Sequence, residues 1–300
     1  MKINLIDKNI EKNNTEIEII FVKDIGNSEH KELLETLEFK AKDESCVLLA
    51  ESKKIYVGYE EENYDSIAIA SATAIKKLQT TKFANARIEL NEVLENNFKA
   101  LIEGAILGEY KFVNYKSEKD KKKIELQILV PNNNEKFEKI LNESIIISKA
   151  VNKTRNMVNT PPADFYPEVM AKTAKKLARS ADIEVKIERE KYLKENGMNA
   201  MLSVGRASVH ESQLIHLTYK PKNAQAKIVL VGKGLTYDSG GLSLKPADFM
   251  VTMKSDKSGG CAVMSTLWAI AKLELPFEVH GIVGAVENMI GGNAYKPDDV

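Results

Sequence analysis

Two lysines and two aspartates lie close together in sequence, in a segment that could bind a metal ion. A strand-like run ends in the tripeptide Gly-Lys-Gly around Lys233, and Asp238 follows beside a Gly-Gly pair. Lys245 and Asp256 come next, on the loop before a predicted helix. Carboxylates at strand ends suit divalent cations, and a buried lysine can join them as a neutral amine. In a second interpretation, the aspartates cap turns or helices and the lysines form ion pairs with them.

Other kinds of site fit this segment less well. The pattern G-x-x-x-x-G-K-[ST] is absent, and Gly232 and Gly234 are not followed by the third glycine of G-x-G-x-x-G. Ser239 does not lie in a G-x-S-x-G elbow, which disfavours a serine hydrolase. The four histidines form no H-E-x-x-H motif, so a histidine-bound zinc peptidase is not indicated. We interpret His216 and His280 as ordinary strand residues.

The elements around this segment alternate between strands and helices. Strands are predicted at residues 214–219, 227–231 and 279–286, and a helix at 260–273. This alternation predicts parallel βαβ units, and the runs IVLVG and IVGAV are typical of strands buried on both faces. Ligands in such sheets bind outside the carboxyl ends of the strands. We therefore expect Lys233, Asp238, Lys245 and Asp256 to cluster at that edge.

The first third of the chain predicts a separate, smaller α/β domain. Short Ile- and Val-rich runs predict strands, and residues 64–79 and 94–107 show helical periodicity. A long helical pattern follows from about residue 135 to 158, and Pro161 and Pro162 end it. We predict an N-terminal α/β domain over 1–134, a connecting helix over 135–158, and a second α/β domain with a mostly parallel sheet over 159–300.

The amino-acid composition disfavours some classes of binding partner and cellular location. Lys+Arg and Asp+Glu both number 43, which argues against a protein-wide basic surface for nucleic acid. The local basic run KSEKDKKK, residues 116–123, is better interpreted as a solvated loop. Two distant cysteines, Cys46 and Cys261, make no disulfide framework and favour a reducing compartment. No signal peptide is evident, and no apolar stretch approaches the ~20 residues that span a bilayer, so we predict a cytoplasmic protein.

Residues 231–300 resemble the leucine aminopeptidase (M17) family over their whole length. The matching segments are VGKGLTYDSGGLSLKP, MKSDKSGGCAVMSTLWAIAKL and ENMIGGNAYKPDDV. Upstream, NKTRNMVNTPPADFYPEVMA and GMNAMLSVGRAS also fit, whereas the first domain is compatible only in size and α/β character. Tyr237 and Asn199 are small departures, since the family usually has phenylalanine and glycine there.

The resemblance implies a two-metal aminopeptidase that releases leucine-like N-terminal residues from peptides. Lys233, Asp238 and Asp256 fall on metal-binding positions: Asp238 would bridge both ions, and the other two would bind one and the same ion. Lys245 falls on the catalytic lysine that polarises the scissile carbonyl and stabilises the tetrahedral intermediate.

Met253 lies near the family's substrate side-chain pocket, as Met250 also could, with plain core packing as the alternative. Two divalent ions, Mn²⁺ or Zn²⁺, are the implied cofactors. The resemblance further implies a homo-hexamer that acts on peptides, with no membrane or nucleic-acid partner. The alternative function is a non-catalytic assembly or DNA-binding role, because some family members also bind DNA.

One family motif, N-T-D-A-E-G-R, does not occur in these 300 residues. In the family it supplies further metal ligands and an arginine that holds a bicarbonate. We therefore expect a fragment with an incomplete catalytic domain that is inactive by itself. We also expect the last predicted strand, residues 279–286, to lack the cover and flanking strands that an apolar strand requires.

Overall fold

The computed structural model describes residues 1–8, 16–117, 122–131 and 135–299. The chain divides into two compact units, Met1–Ser148 and Lys149–Val300. The centre of the basic run at 116–123 lies outside the described residues. Within the described ranges, no helix is long and apolar enough to cross a membrane.

The first unit contains a six-stranded sheet with the order β1-β6-β5-β2-β4-β3. Every neighbouring pair is parallel except β3 and β4. The strands are β1 (Lys2–Asp7), β2 (Ile17–Val22), β3 (Cys46–Leu49), β4 (Lys54–Gly58), β5 (Asn85–Glu89) and β6 (Glu125–Val130). The helices are α1 (Lys31–Thr36), α2 (Tyr64–Gln79), α3 (Glu92–Asn96) and α4 (Phe98–Glu109).

Helix pairing in this unit depends on small residues. The side chain of Asn63 accepts a hydrogen bond from the backbone N–H of Ser66 and so begins α2 at a well-formed N-cap. Helices α2 and α4 then pack so closely that a Cβ on Gly104 would lie 2.3 Å from the carbonyl oxygen of Ala68. Apolar side chains of both helices join the strand residues in one core.

The second unit contains Lys233, Asp238, Lys245 and Asp256. The division between the two units falls within α5 (Glu135–Asn159). Its other helices are α6 (Pro167–Arg179), α7 (Glu190–Glu195), α8 (Asn199–Gly205), α9 (Ala247–Met250) and α10 (Ser258–Lys272). Its strands are β7 (Glu184–Arg189), β8 (Gln213–Tyr219), β9 (Ala226–Asp238) and β10 (Phe277–Asn288).

The predicted α/β class is confirmed, but the strand directions in the second unit differ from the prediction. The order is β7-β8-β10-β9, and only β9 and β10 are parallel. The short connection at 220–225 reverses the chain between β8 and β9. Helix α10 then returns the chain so that β10 runs parallel to β9 and inserts between β8 and β9. The mostly parallel sheet is that of the first unit.

The prediction that the run at 227–231 is buried on both faces is wrong. Ile228, Val229 and Val231 are 39%, 53% and 76% exposed, because β9 forms the edge of the described sheet. The prediction that the last strand would lack flanking strands is also wrong, because β10 lies between two neighbours. Val283 and Ala285 of that strand are fully buried. The exposed apolar strand is therefore β9.

Candidate metal centre

A β-bulge places Lys233 and Asp238 on the same face of β9. Side chains alternate along a regular strand, so two residues five positions apart would point to opposite faces. The register against β10 shifts between Val286 and Glu287, which adds one residue to β9. Lys233 consequently pairs with Gly284 and Asp238 with Asn288, four positions apart on the regular partner strand.

Glycines bring the start of α10 against this part of β9. A Cβ on Gly232 would lie 2.7 Å from the carbonyl oxygen of Gly259 and 2.8 Å from the Cα of Gly260. A Cβ on Gly260 would lie 3.1 Å from the Cα of Gly234. Real Cβ atoms essentially never come within 3.0 Å of another heavy atom and seldom within 3.4 Å, so these glycines permit contact between strand and helix.

This packing brings Asp256 to Lys233. Asp256 directly follows the short 3-10 helix Met253–Ser255 and lies two residues before the start of α10. The Lys233 Nζ lies 2.7 Å from Asp256 Oδ1. The lysine side chain is 62% exposed and that of the aspartate 18%. The charge of a nearby dication would favour the neutral amine that metal binding requires.

Asp238 is held by three donors. It forms an ion pair with Lys245, and its Oδ1 accepts hydrogen bonds from the backbone N–H of Gly240 at 2.9 Å and from Asn288 Nδ2 at 2.7 Å. Burial raises the pKa of this carboxyl, but the hydrogen bonds from Lys245, Gly240 and Asn288 outweigh burial and lower the pKa below its usual range. The carboxylate is therefore ionised at neutral pH.

The two ion pairs correspond to the second interpretation of the sequence. Lys233 contacts Asp256 and Lys245 contacts Asp238, so each carboxylate is neutralised by an ammonium group. No group of three or more His, Cys, Asp or Glu side chains in the described ranges is arranged to hold a metal ion. Two carboxylates and a lysine nitrogen are nevertheless suitable donors for Mn²⁺ or Zn²⁺. They fit part of a metal site, with fewer donors than two ions require.

A largely apolar cavity of about 540 Å³ adjoins the Asp238–Lys245 pair. Lys245 and Tyr237 form part of its wall, together with Leu244 and Met250. Met253 is not among the described residues that line it, so a role for Met253 in substrate binding stays a prediction. Met250, the second methionine considered for substrate binding, does line this cavity.

Lys257 is a functional candidate that sequence reasoning missed. Its side chain is fully buried, and its Nζ donates hydrogen bonds to the carbonyl oxygens of Thr160, at 3.1 Å, and Lys254, at 2.5 Å. Burial lowers its pKa to about 8. Lys257 thereby ties the backbone next to Asp256 to the segment after α5. In the sequence, Lys257 is marked only by its position next to Asp256, and that position does not predict that its side chain is buried.

Substituting Gly232 tests the strand–helix contact. Gly232→Ala is expected to destabilise the fold by about 1–3 kcal/mol, because the new methyl group must push α10 away from β9. Gly292→Ala is the matched control, since an added Cβ there meets no atom within 4 Å. Chemical denaturation measures both variants. Equal stability of Gly232→Ala and the parent would contradict the close packing.

Both units of the chain match domains of one class of peptidase. The family described as "Cytosol aminopeptidase family, N-terminal domain" matches residues 8–119. The family described as "Cytosol aminopeptidase family, catalytic domain" matches residues 152–300. The chain belongs to the cytosol aminopeptidase family, and the family predicted from the sequence motifs is confirmed.

Similar proteins are longer than this chain. A protein from Wolinella succinogenes named "Probable cytosol aminopeptidase" is 46% identical over 279 residues, which cover 90% of this chain and 57% of that protein. A protein of the same name from Campylobacter jejuni is 43% identical over 315 residues, covering 100% and 64%. The solved structure "Bottromycin maturation enzyme BotP in complex with Mn" has a TM-score of 0.82 at 26% identity, covering 96% of this chain and 63% of that one. The chain thus spans less than two thirds of each.

Proposed function

We propose that this chain provides part of the active site of a two-metal aminopeptidase that releases leucine-like N-terminal residues from peptides. One observation carries the proposal. In a chain of the cytosol aminopeptidase family, the bulge in β9 and the glycine contact with α10 bring Lys233, Asp238, Lys245 and Asp256 into two ion pairs at the end of one strand. Such a set of charged groups can exchange its internal partners for metal ions.

The residues divide into two roles. Asp238 would bridge the two ions, while Asp256 and the Lys233 amine would bind one of them. Two bound divalent ions would supply a water of lowered pKa and Lewis acidity toward a carbonyl oxygen. Lys245, freed from Asp238, would donate a hydrogen bond from the cavity wall to the oxygen that gains negative charge. A donor placed at this position stabilises the transition state more than the substrate.

Mn²⁺ is supported by the similar BotP structure, which is a complex with Mn, and Zn²⁺ also suits the oxygen and nitrogen donors. The apolar lining next to Lys245 suits a leucine-like side chain. Bicarbonate as an additional group and a homo-hexamer as the assembly belong to the complete enzyme.

The function is tested by metal-dependent hydrolysis of leucine p-nitroanilide. The protein expressed from its complete reading frame is stripped with a chelator and reloaded with Mn²⁺ or Zn²⁺. We expect activity to disappear on stripping and return on reloading. A gel shift with DNA at low and high salt runs in parallel. Salt-sensitive DNA retention without peptidase activity would replace this proposal with a binding function.

For the 300-residue chain by itself, we expect activity at least about 10³-fold below that of the complete reading frame. The reason is a count of donors, since Asp238, Asp256 and Lys233 are too few to hold two ions firmly. Metal titration should show at most one weakly bound ion at this centre. Activity within about tenfold of the longer form would mean that these three side chains suffice.

A further inference from the structure

Two histidines on neighbouring strands of the second unit lie in direct contact. In the antiparallel register of β8 and β10, His280 pairs with Thr218 and His216 pairs with Ile282. The two histidines are therefore diagonal neighbours on one face of the sheet. His216 Nε2 lies 3.0 Å from His280 Nδ1, and the Thr218 Oγ1 lies 3.4 Å and 3.3 Å from these two nitrogens.

A carboxylate orients one of the rings. Glu278 Oε1 lies 2.9 Å from His280 Nε2 and 2.9 Å from the Lys227 Nζ. The hydrogen bonds from Lys227 and His280 lower the pKa of Glu278 to about 2, so its carboxylate is ionised and accepts a hydrogen bond from the ring. In the tautomer with its proton on Nε2, the Nδ1 of His280 carries a lone pair directed at His216 and Thr218.

We propose that His216 Nε2 and His280 Nδ1 bind a divalent transition-metal ion, of the Zn²⁺ or Cu²⁺ class, at a site separate from the candidate metal centre. Imidazole nitrogens are preferred donors for these ions. Two tetrahedral bonds of about 2.0–2.1 Å place the donor nitrogens ~3.3 Å apart, so the observed pair has to open by only a few tenths of an ångström. Glu278 behind His280 repeats the carboxylate–histidine arrangement that orients metal-bound imidazoles.

The site is independent of the proposed peptidase chemistry. His280 lies eight residues before Asn288 on β10, roughly 26 Å along the strand from the partner of Asp238. Since no three His, Cys, Asp or Glu groups in the described ranges surround one point, the protein supplies two imidazoles. The Thr218 hydroxyl and water would complete the coordination. Without metal, the same contact is an N–H···N hydrogen bond from His216 to His280.

Electron paramagnetic resonance of Cu²⁺ added to the chelator-treated chain tests the site. The protein carries Asp238→Ala and Asp256→Ala, so that Cu²⁺ does not bind at the candidate metal centre. We expect a spectrum with coupling to two imidazole nitrogens, which is lost in both His216→Gln and His280→Gln. His210→Gln is the matched control, and its spectrum should equal that of the parent. Far-UV circular dichroism checks that each variant is folded.

A second variant separates metal binding from a purely structural hydrogen bond. Glu278→Gln is expected to weaken Zn²⁺ binding by about 10–100-fold in calorimetry, because the oriented ring becomes a poorer ligand, while coupling to two nitrogens persists at saturating Cu²⁺. Unchanged Cu²⁺ spectra in His216→Gln or His280→Gln would overturn the proposal. Zn²⁺ affinity equal in the parent and in the two histidine variants would overturn it as well.

Discussion

In the protein expressed from its complete reading frame, Asp238→Ala is expected to abolish metal binding at the candidate centre and to lower peptidase activity by at least about 10³-fold, since bound metal ions stabilise the transition state by several kcal/mol. Asp238 is the proposed bridging ligand, so both ions lose a donor at once. The substitution also removes the acceptor for Gly240 and Asn288 and leaves Lys245 as an unpaired cation. That cation would repel an incoming dication.

Metal content by mass spectrometry and the rate on leucine p-nitroanilide are measured on the same preparations. Asp238→Asn keeps an oxygen acceptor for the N–H of Gly240 but not the charge, and so separates loss of fold from loss of ligand. Asp248→Ala is the control, because this exposed aspartate lies in the first turn of α9 and outside the proposed ligand set. Parental metal content in Asp238→Ala would remove Asp238 from the site.

The location of the candidate centre could be predicted because its lysines, carboxylates and glycines are neighbours along the chain. Helix positions were also predictable, since the helices predicted at 64–79 and 260–273 correspond to α2 and α10. The face on which Lys233 and Asp238 lie was not predictable. It depends on a bulge whose register is set by β10, about fifty residues away along the chain.

Strand order and direction could not be predicted from the sequence either, because they also depend on contacts between distant segments of the chain. The alternation of strands and helices predicts parallel pairing, yet the connection between β8 and β9 contains no helix and reverses the chain. Insertion of β10 between β8 and β9 then places His280 next to His216, 64 residues away in sequence. Each histidine by itself is an ordinary strand residue. Their contact arises only from the register of two strands.

Lys245→Ala has the second large expected effect, and the role of Lys245 differs from that of the metal ligands. In an active preparation, this substitution should lower kcat by about 10²–10³-fold while metal content stays near the parental level. The lysine lines the cavity beside Asp238 and so can donate to a developing oxyanion. It is not a proposed ligand, and its removal relieves one positive charge next to the metal positions.

Measuring both kcat and metal affinity shows whether Lys245 acts on the transition state or supports the metal site. A donor that acts on the transition state lowers kcat and kcat/KM together, whereas a ligand would lower metal occupancy first. Lys245→Arg keeps the charge but changes the geometry, and should recover part of the rate. Lys222→Ala, on an exposed loop, controls for general loss of positive charge. If Lys245→Ala loses as much metal as Asp238→Ala, Lys245 supports the carboxylate and does not act on the scissile carbonyl.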